Sequence, residues 1–125
     1  MKKPQLSATV ITLHPELFPG PLSASVTGRA LEKKIWSLET IDLRIYGKGK
    51  HKQVDDKPIS GGPGMVLRPD VLDRALQQAS RSVTDTKKLI VCMSPKGIPF
   101  TQNTAKNLLQ YNEIIIVCGR FEGID

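Results

Sequence analysis

The stretch LIVCMSPKGIPFTQNTAKNLLQYNEIIIVCG, residues 89–119, decides the fold. Its ends, 89–93 (LIVCM) and 113–117 (EIIIV), are near-continuous apolar runs of strand length without polar alternation. That is the pattern of parallel strands buried on both faces. Between them Thr101 stands where a helix N-cap belongs, and Ala105, Leu108 and Leu109 lie on one helical stripe. The unit therefore reads strand, helix, strand. Each strand runs into a glycine turn, Ser94-Pro95-Lys96-Gly97 after the first and Gly119-Arg120-Phe121-Glu122-Gly123 after the second.

Upstream the pattern continues. Residues 7–13 are rich in β-branched side chains and read as a strand that His14-Pro15 breaks. Residues 16–22 carry Pro19 and Pro21 and allow only a short or interrupted helix. Leu22, Val26, Ala30, Leu31 and Ile35 have helical spacing, weakened by Gly28. Residues 36–45 read as a second strand, and 47–64 as a long polar, basic, glycine-rich loop of the kind that is usually functional. Pro69 initiates a helix over 70–79 with the stripe Val71, Leu72, Ala75, Leu76 and Ala79, and 80–86 is a polar linker. This order predicts an α/β fold, a mainly parallel sheet with helices on both faces. The chain stops at Ile124-Asp125 with no closing helix, so it reads as the front part of a longer protein.

With 125 residues, 39% hydrophobic and 24% charged, the chain suits one ordinary globular domain. No apolar run approaches the ~20 residues of a membrane span. Lys2 and Lys3 precede an apolar stretch, but its threonines and the following His14-Pro15-Glu16 fit a buried strand better than a secretion signal, and a cytoplasmic protein is expected. Cys92 and Cys118 lie in apolar runs and read as small buried side chains. Two cysteines and two distant histidines make no metal-ligand spacing, so no metal site is expected. The net charge of +6 suits a polyanionic partner. Arg44, Lys48, Lys50, His51, Lys52 and Lys57 share one stretch, which reads equally as a solvated loop or a phosphate-contacting surface.

Parallel sheets gather ligands at the carboxyl ends of their strands. Glycine lets a ligand lie against backbone N–H and C=O groups, which suits an adenine or a ribose. Neither turn has the spacing of a dinucleotide fingerprint or a phosphate loop. Glu122 could meet a substrate donor group or pair with Arg120. In VDDKPISGGPGMV, residues 54–66, Asp55 and Asp56 either order their own loop or set a negative charge beside a cation from elsewhere.

Four motifs in order, TLHPELF…VTGRA, VDDKP…GGPGM, SPKG and CGRFEGID, resemble the bacterial tRNA (guanine-N1)-methyltransferase family, TrmD. The resemblance covers nearly the whole chain. It implies a SPOUT-type fold with a deep trefoil knot, of which residues 1–125 are the N-terminal part with the knot incomplete. It implies a homodimer that transfers methyl from S-adenosyl-L-methionine to N1 of the guanine just 3′ of the anticodon of tRNA, in a family associated with magnesium. By the likeness the donor lies against Cys92, Met93, Ser94, Lys96 and Gly97 and against Gly119, Phe121, Glu122 and Gly123. The guanine lies near Gly61, Gly62, Pro63, Gly64 and Glu122, and Asp55 holds an arginine supplied from beyond Asp125. Arg44, Lys48, Lys50 and Lys52 would meet tRNA phosphates. The third donor loop, the general base and a tRNA-gripping domain are expected beyond Asp125. The chain by itself is accordingly expected to bind donor weakly and not to methylate tRNA. Departures from the family pattern stand at His14, Ile59, Ser60, Lys96 and Phe121. The competing reading is a non-catalytic basic RNA-binding α/β module. A nucleotide hydrolase is disfavoured, because no lysine follows GGPGM at phosphate-loop spacing.

Overall fold

The apolar runs become four parallel strands: β1 (Leu6–Thr12), β2 (Trp36–Asp42), β5 (Lys88–Met93) and β6 (Glu113–Cys118). A separate antiparallel pair, β3 (Asp55–Asp56) and β4 (Val66–Leu67), lies between β2 and β5 in the chain. The helices are α1 (Ser25–Glu32), α2 (Pro69–Ser80) and α3 (Gln102–Leu108). The structure, a computed structural model, describes residues 4–57, 64–80 and 87–119. Gly61, Gly62, Pro63, Phe121, Glu122 and Gly123, with Ile59, Ser60, Arg120 and most of the polar linker, lie outside the described residues.

The sheet order is β2-β1-β6-β5, every pairing parallel. Residues level with one another in a parallel pair point to the same face. One face therefore carries Ile11, Ile115 and Val117, which are fully buried and form the core with Val71, Leu72, Ala75 and Ala79 of α2. The stripe read from the α2 sequence is the stripe that is buried. Trp36 belongs to the opposite face, and its indole Nε1–H donates to the Thr27 carbonyl of α1 at 3.0 Å. Helices thus meet both faces. The right-handed crossover rule puts α3 on the α1 side, because β5→β6 steps across the sheet in the same direction as β1→β2.

Three expectations change. Burial on both faces holds for the centre of β1 but not for β5, where Ile90, Cys92 and Met93 are exposed: β5 is an edge strand and α2 covers the middle of the sheet. Cys92 is therefore exposed and Cys118 half-buried, both unpaired, with burial pushing the Cys118 thiol up. Cys92 is level with Val117 while Cys118 is level with Met93, so the two thiols face opposite sides of the sheet. The second strand ends at Asp42 rather than Ile45. There the Asp42 carboxylate accepts from the Arg44 N–H at 2.9 Å and turns the chain into a 3-10 turn, Leu43–Tyr46.

Thr101 caps α3 as expected, accepting from the Thr104 N–H at 3.2 Å, but Leu109 is 82% exposed rather than in the core. Gly28 is required where it stands. A Cβ there would lie 2.0 Å from the Ser23 carbonyl oxygen, so α1 packs its backbone onto the turn before it. Among the described residues no helix is long and apolar enough to cross a membrane.

Candidate functional site

The pairing register places the first residues of the two glycine turns, Ser94 and Gly119, side by side. Met93 of β5 is level with Cys118 of β6, so Ser94 and Gly119 are the next residues on adjacent strands. Neighbouring strands are ~4.8 Å apart. On the same edge Val117 is level with Ile11 of β1, and Thr12 with Asp42 of β2. The carboxyl edge thus presents, in order, the starts of the segments after β2, β1, β6 and β5: Leu43, Leu13, Gly119 and Ser94.

At the β5 end the turn over 94–97 is closed from within. The Gly97 N–H donates to the Ser94 carbonyl at 3.1 Å, and the Lys96 N–H donates to Ser94 Oγ at 3.1 Å. Pro95 has no N–H. The Lys96 and Gly97 N–H groups are therefore taken up within the turn, whose exposed groups include the Lys96 ammonium as well as backbone carbonyls. Carbonyls accept from amino and hydroxyl groups but repel phosphate. A Cβ at Gly97 would lie 3.3 Å from the Ser94 carbonyl oxygen. Gly119 differs: a Cβ there would meet nothing within 4 Å, so no neighbour among the described residues demands glycine. Met93, Ile98 and Phe100 expose apolar surface beside the turn. A planar heterocycle with exocyclic amino and ribose hydroxyl groups fits this combination.

At the β2 end lies an open cavity of about 410 Å³, lined by Leu13, Arg44, His51, Lys52, Gln53, Val54 and Asp55. Arg44 Nη1–H donates to the Leu13 carbonyl at 2.9 Å, holding the guanidinium over the end of β1. In the described part of the long loop, residues 47–57, the backbone is paired. Lys48 and Gln53 exchange backbone N–H···O bonds, each 2.8 Å. Then β3 pairs with β4, Asp55 level with Leu67 and Asp56 with Val66.

The acidic doublet is divided by strand alternation, which sends successive side chains to opposite sides. Asp55 lines the cavity, half-buried. Asp56 turns away and accepts from Arg68 Nη1 at 3.1 Å. Arg68 also grips Asp70 with two N–H bonds, Nε at 3.1 Å and Nη2 at 3.2 Å. Lys48 Nζ stands 3.3 Å from the other side of that carboxylate. The Arg68 bonds, with Lys48 behind them, hold the Asp70 carboxyl well below the usual carboxylate range, against a smaller opposing effect of desolvation. Asp70 in turn raises the Arg68 guanidinium.

The structure thus separates the residues marked in the sequence. Cys92, Met93, Ser94, Lys96, Gly97 and Gly119 gather at the β5–β6 end. Arg44, Lys52 and Asp55 gather with His51 at the cavity. Lys48 is drawn into the ion network instead, and Lys50 sits on the exposed tip of the hairpin. Gly64, at φ +88°, leads back into β4. Sequence reasoning missed Arg68 and Asp70. Their one signal is the R-P-D spelling around a helix-initiating proline, which puts both side chains at the head of α2. His14, a departure from the family pattern, is half-buried with Nδ1 3.1 Å from Glu16 Oε1. Among the described residues no group of three or more His, Cys, Asp or Glu side chains is arranged to hold a metal ion.

These features define a parallel α/β domain whose candidate site lies on the carboxyl edge of the sheet. Comparison with known proteins narrows this class. The family model described as tRNA (Guanine-1)-methyltransferase TrmD matches residues 6–125. Curated relatives named tRNA (guanine-N(1)-)-methyltransferase include one from Jannaschia sp. (strain CCS1), 54% identical over 94% of this chain and 49% of its own length. Another, from Ehrlichia canis (strain Jake), is 48% identical over 96% of this chain and 50% of its own length. The chain belongs to the tRNA (Guanine-1)-methyltransferase family. It spans about half the length of the curated relatives it matches.

Proposed function

We propose that this chain carries the donor-binding edge of a tRNA methyltransferase that uses S-adenosyl-L-methionine to methylate N1 of the guanine 3′ of the anticodon. The observation that supports it most is the adjacency of the residue 94–97 turn and Gly119, with the Lys96 and Gly97 N–H groups taken up within the turn, in a member of a methyltransferase family.

S-adenosyl-L-methionine in this site supplies an electrophilic methyl group on sulfur. The Ser94–Gly97 carbonyls and the open backbone at Gly119 hold its adenosine, and Cys92 and Met93 line the strand end beneath. The family likeness adds Phe121, Glu122 and Gly123 to the donor side. To the guanine side it adds Gly61, Gly62, Pro63 and Gly64, with Glu122 contacting the base. Asp55, in the cavity, orients an arginine from the remainder of the enzyme. Arg44, Lys50 and Lys52 meet tRNA phosphates, and Lys48 does so less because it is paired with Asp70. Much of the rate comes from aligning the guanine with the methyl group. Methyl moves from sulfur to N1, and the N1 proton passes to a general base in the part of the enzyme that the longer relatives possess. The same reading makes the protein a cytoplasmic homodimer with a SPOUT-type trefoil knot. A requirement for magnesium would be met outside the residues assigned here.

The test is methyl transfer from labelled donor to tRNA by the full-length enzyme, comparing guanine with adenine 3′ of the anticodon. Label on N1 of the guanine, and none on the adenine transcript, is expected. Salt-sensitive tRNA binding with no transfer would overturn the proposal in favour of a non-catalytic RNA-binding module.

A further inference from the structure

Arg68 joins three segments that are distant in the chain. Its guanidinium reaches Asp56 on β3 and makes a two-pronged contact with Asp70 at the head of α2. Through Asp70 it is linked to Lys48 at the foot of the basic hairpin. Its own N–H donates to the Val54 carbonyl at 2.7 Å. Every guanidinium nitrogen is engaged, and the side chain is 26% exposed. Exposed ion pairs contribute little stability. A three-way tie built from such pairs is therefore a weak stabiliser. It is, however, a strong geometric constraint, because a planar two-pronged contact fixes direction as well as distance.

What it constrains is the cavity wall. The β3–β4 ladder is only two residues long on each side, too short to be rigid by itself. Asp55 is on that ladder, its carboxylate on the side opposite Asp56, so whatever fixes Asp56 also fixes the direction of Asp55. The apolar neighbours do less. Val54 and Leu67 are buried in the core and set the depth of the ladder, while the Arg68 bonds set the direction of its charged side chains. We infer that Arg68 is a positioning residue: by clamping Asp56 and Asp70 it aims the Asp55 carboxylate, and the Lys48–Gln53 hairpin beside it, at the carboxyl edge of the sheet. This rests on the reading of Asp55 as an orienting group in methyl transfer.

The experiment uses the full-length enzyme with Arg68→Met, Arg68→Lys and Asp56→Asn. Arg68→Met is expected to lower kcat by about ten- to hundredfold, the scale of an ångström-level misplacement. Donor Kd and the KM for tRNA should stay within about threefold. Arg68→Lys restores charge but not the fork, and should recover only part of the loss. Hydrogen exchange should quicken at the amides of position 68 and Gln53 while the core of β1 and β6 is unchanged. If Arg68→Met fails to fold, Asp56→Asn, which removes one contact, carries the same expectations. A wild-type kcat in a folded Arg68→Met or Asp56→Asn variant overturns the inference. If the wild-type enzyme transfers no methyl, the functional reading fails instead. Hydrogen exchange then decides for the clamp: unchanged exchange at both amides overturns it.

Discussion

At the β2 end of the carboxyl edge, charged side chains are bound to one another. Arg68 holds Asp56 and Asp70, Lys48 approaches Asp70, and Arg44 caps the Leu13 carbonyl. At the β5 end the contacts run from backbone N–H groups to a backbone carbonyl or to a single hydroxyl oxygen, and apolar side chains stand exposed beside them. The difference is chemical. A polyanionic strand needs a surface of fixed charges, and the β2 end holds its charges in place. A largely uncharged heterocycle needs a flat apolar contact and a few hydrogen-bonding groups, and the β5 end exposes Met93, Ile98 and Phe100 beside a backbone turn. Both ends rest on one core, so they can be perturbed separately.

The largest effect should come from that core. Leu67→Ala removes a fully buried side chain beneath the β2-end cavity, and should cost about 2–5 kcal/mol in denaturant unfolding. Leu109→Ala, on a side chain 82% exposed, should cost less than about 0.5 kcal/mol. Equal costs would mean that the core is not where we place it.

Gly119→Ala sharpens the contrast at the β5 end. The added methyl meets no neighbour within 4 Å, so the melting temperature should be unchanged. Donor affinity should fall about tenfold, or ~1.4 kcal/mol. Loss of stability with unchanged donor affinity would move the donor elsewhere.

Two lysines separate a free cation from a paired one. Lys52→Ala should reduce the salt dependence of tRNA binding by about one in log–log slope. Lys48→Ala should reduce it less, because Lys48 Nζ already lies 3.3 Å from Asp70. The same slope change for both would show that the pair does not persist in solution.

The smallest effects concern pH. The Asp70 carboxyl is depressed in the folded state, so its stabilisation is complete above the unfolded value of about 3.9 and is lost as pH falls through the lower folded value. Asp70→Asn should therefore weaken the protein at neutral pH, with the gap to wild type closing in acid. Glu113 has the opposite sign: burial raises its carboxyl, with Lys88 opposing and Glu39 assisting. Glu113→Gln should stabilise at neutral pH, and the gain should fade as pH falls through the raised folded value. Acid denaturation of both variants beside wild type checks the pair.

Much of the frame was legible in the letters. The runs LIVCM and EIIIV became β5 and β6, the stripe over 70–79 became α2, and Thr101 capped α3. The placing of ligands at the carboxyl ends of the strands follows from strand type, and the register sets Ser94 beside Gly119 there, while the rest of the second turn lies outside the described residues. What stayed hidden was set by partners distant in sequence. Arg68 carries a local signal only for Asp70, in the R-P-D spelling, and its reach to Asp56 exists only once β3 pairs with β4. The exposure of Cys92 follows from β5 being at the edge, a property of strand order rather than of the LIVCM run. Asp55 and Asp56 look alike in sequence, and only strand pairing assigns one to the cavity and the other to the clamp.

The most direct test of the whole account is residue-resolved amide mapping of the full-length enzyme, by NMR or hydrogen exchange, as S-adenosyl-L-methionine is added. The account predicts that the amides of Lys96, Gly97 and Gly119 respond together, and that those of the 48–57 hairpin respond only when tRNA follows. Donor-induced changes confined to the hairpin and the Arg44 cavity, with the residue 94–97 turn silent, would contradict it.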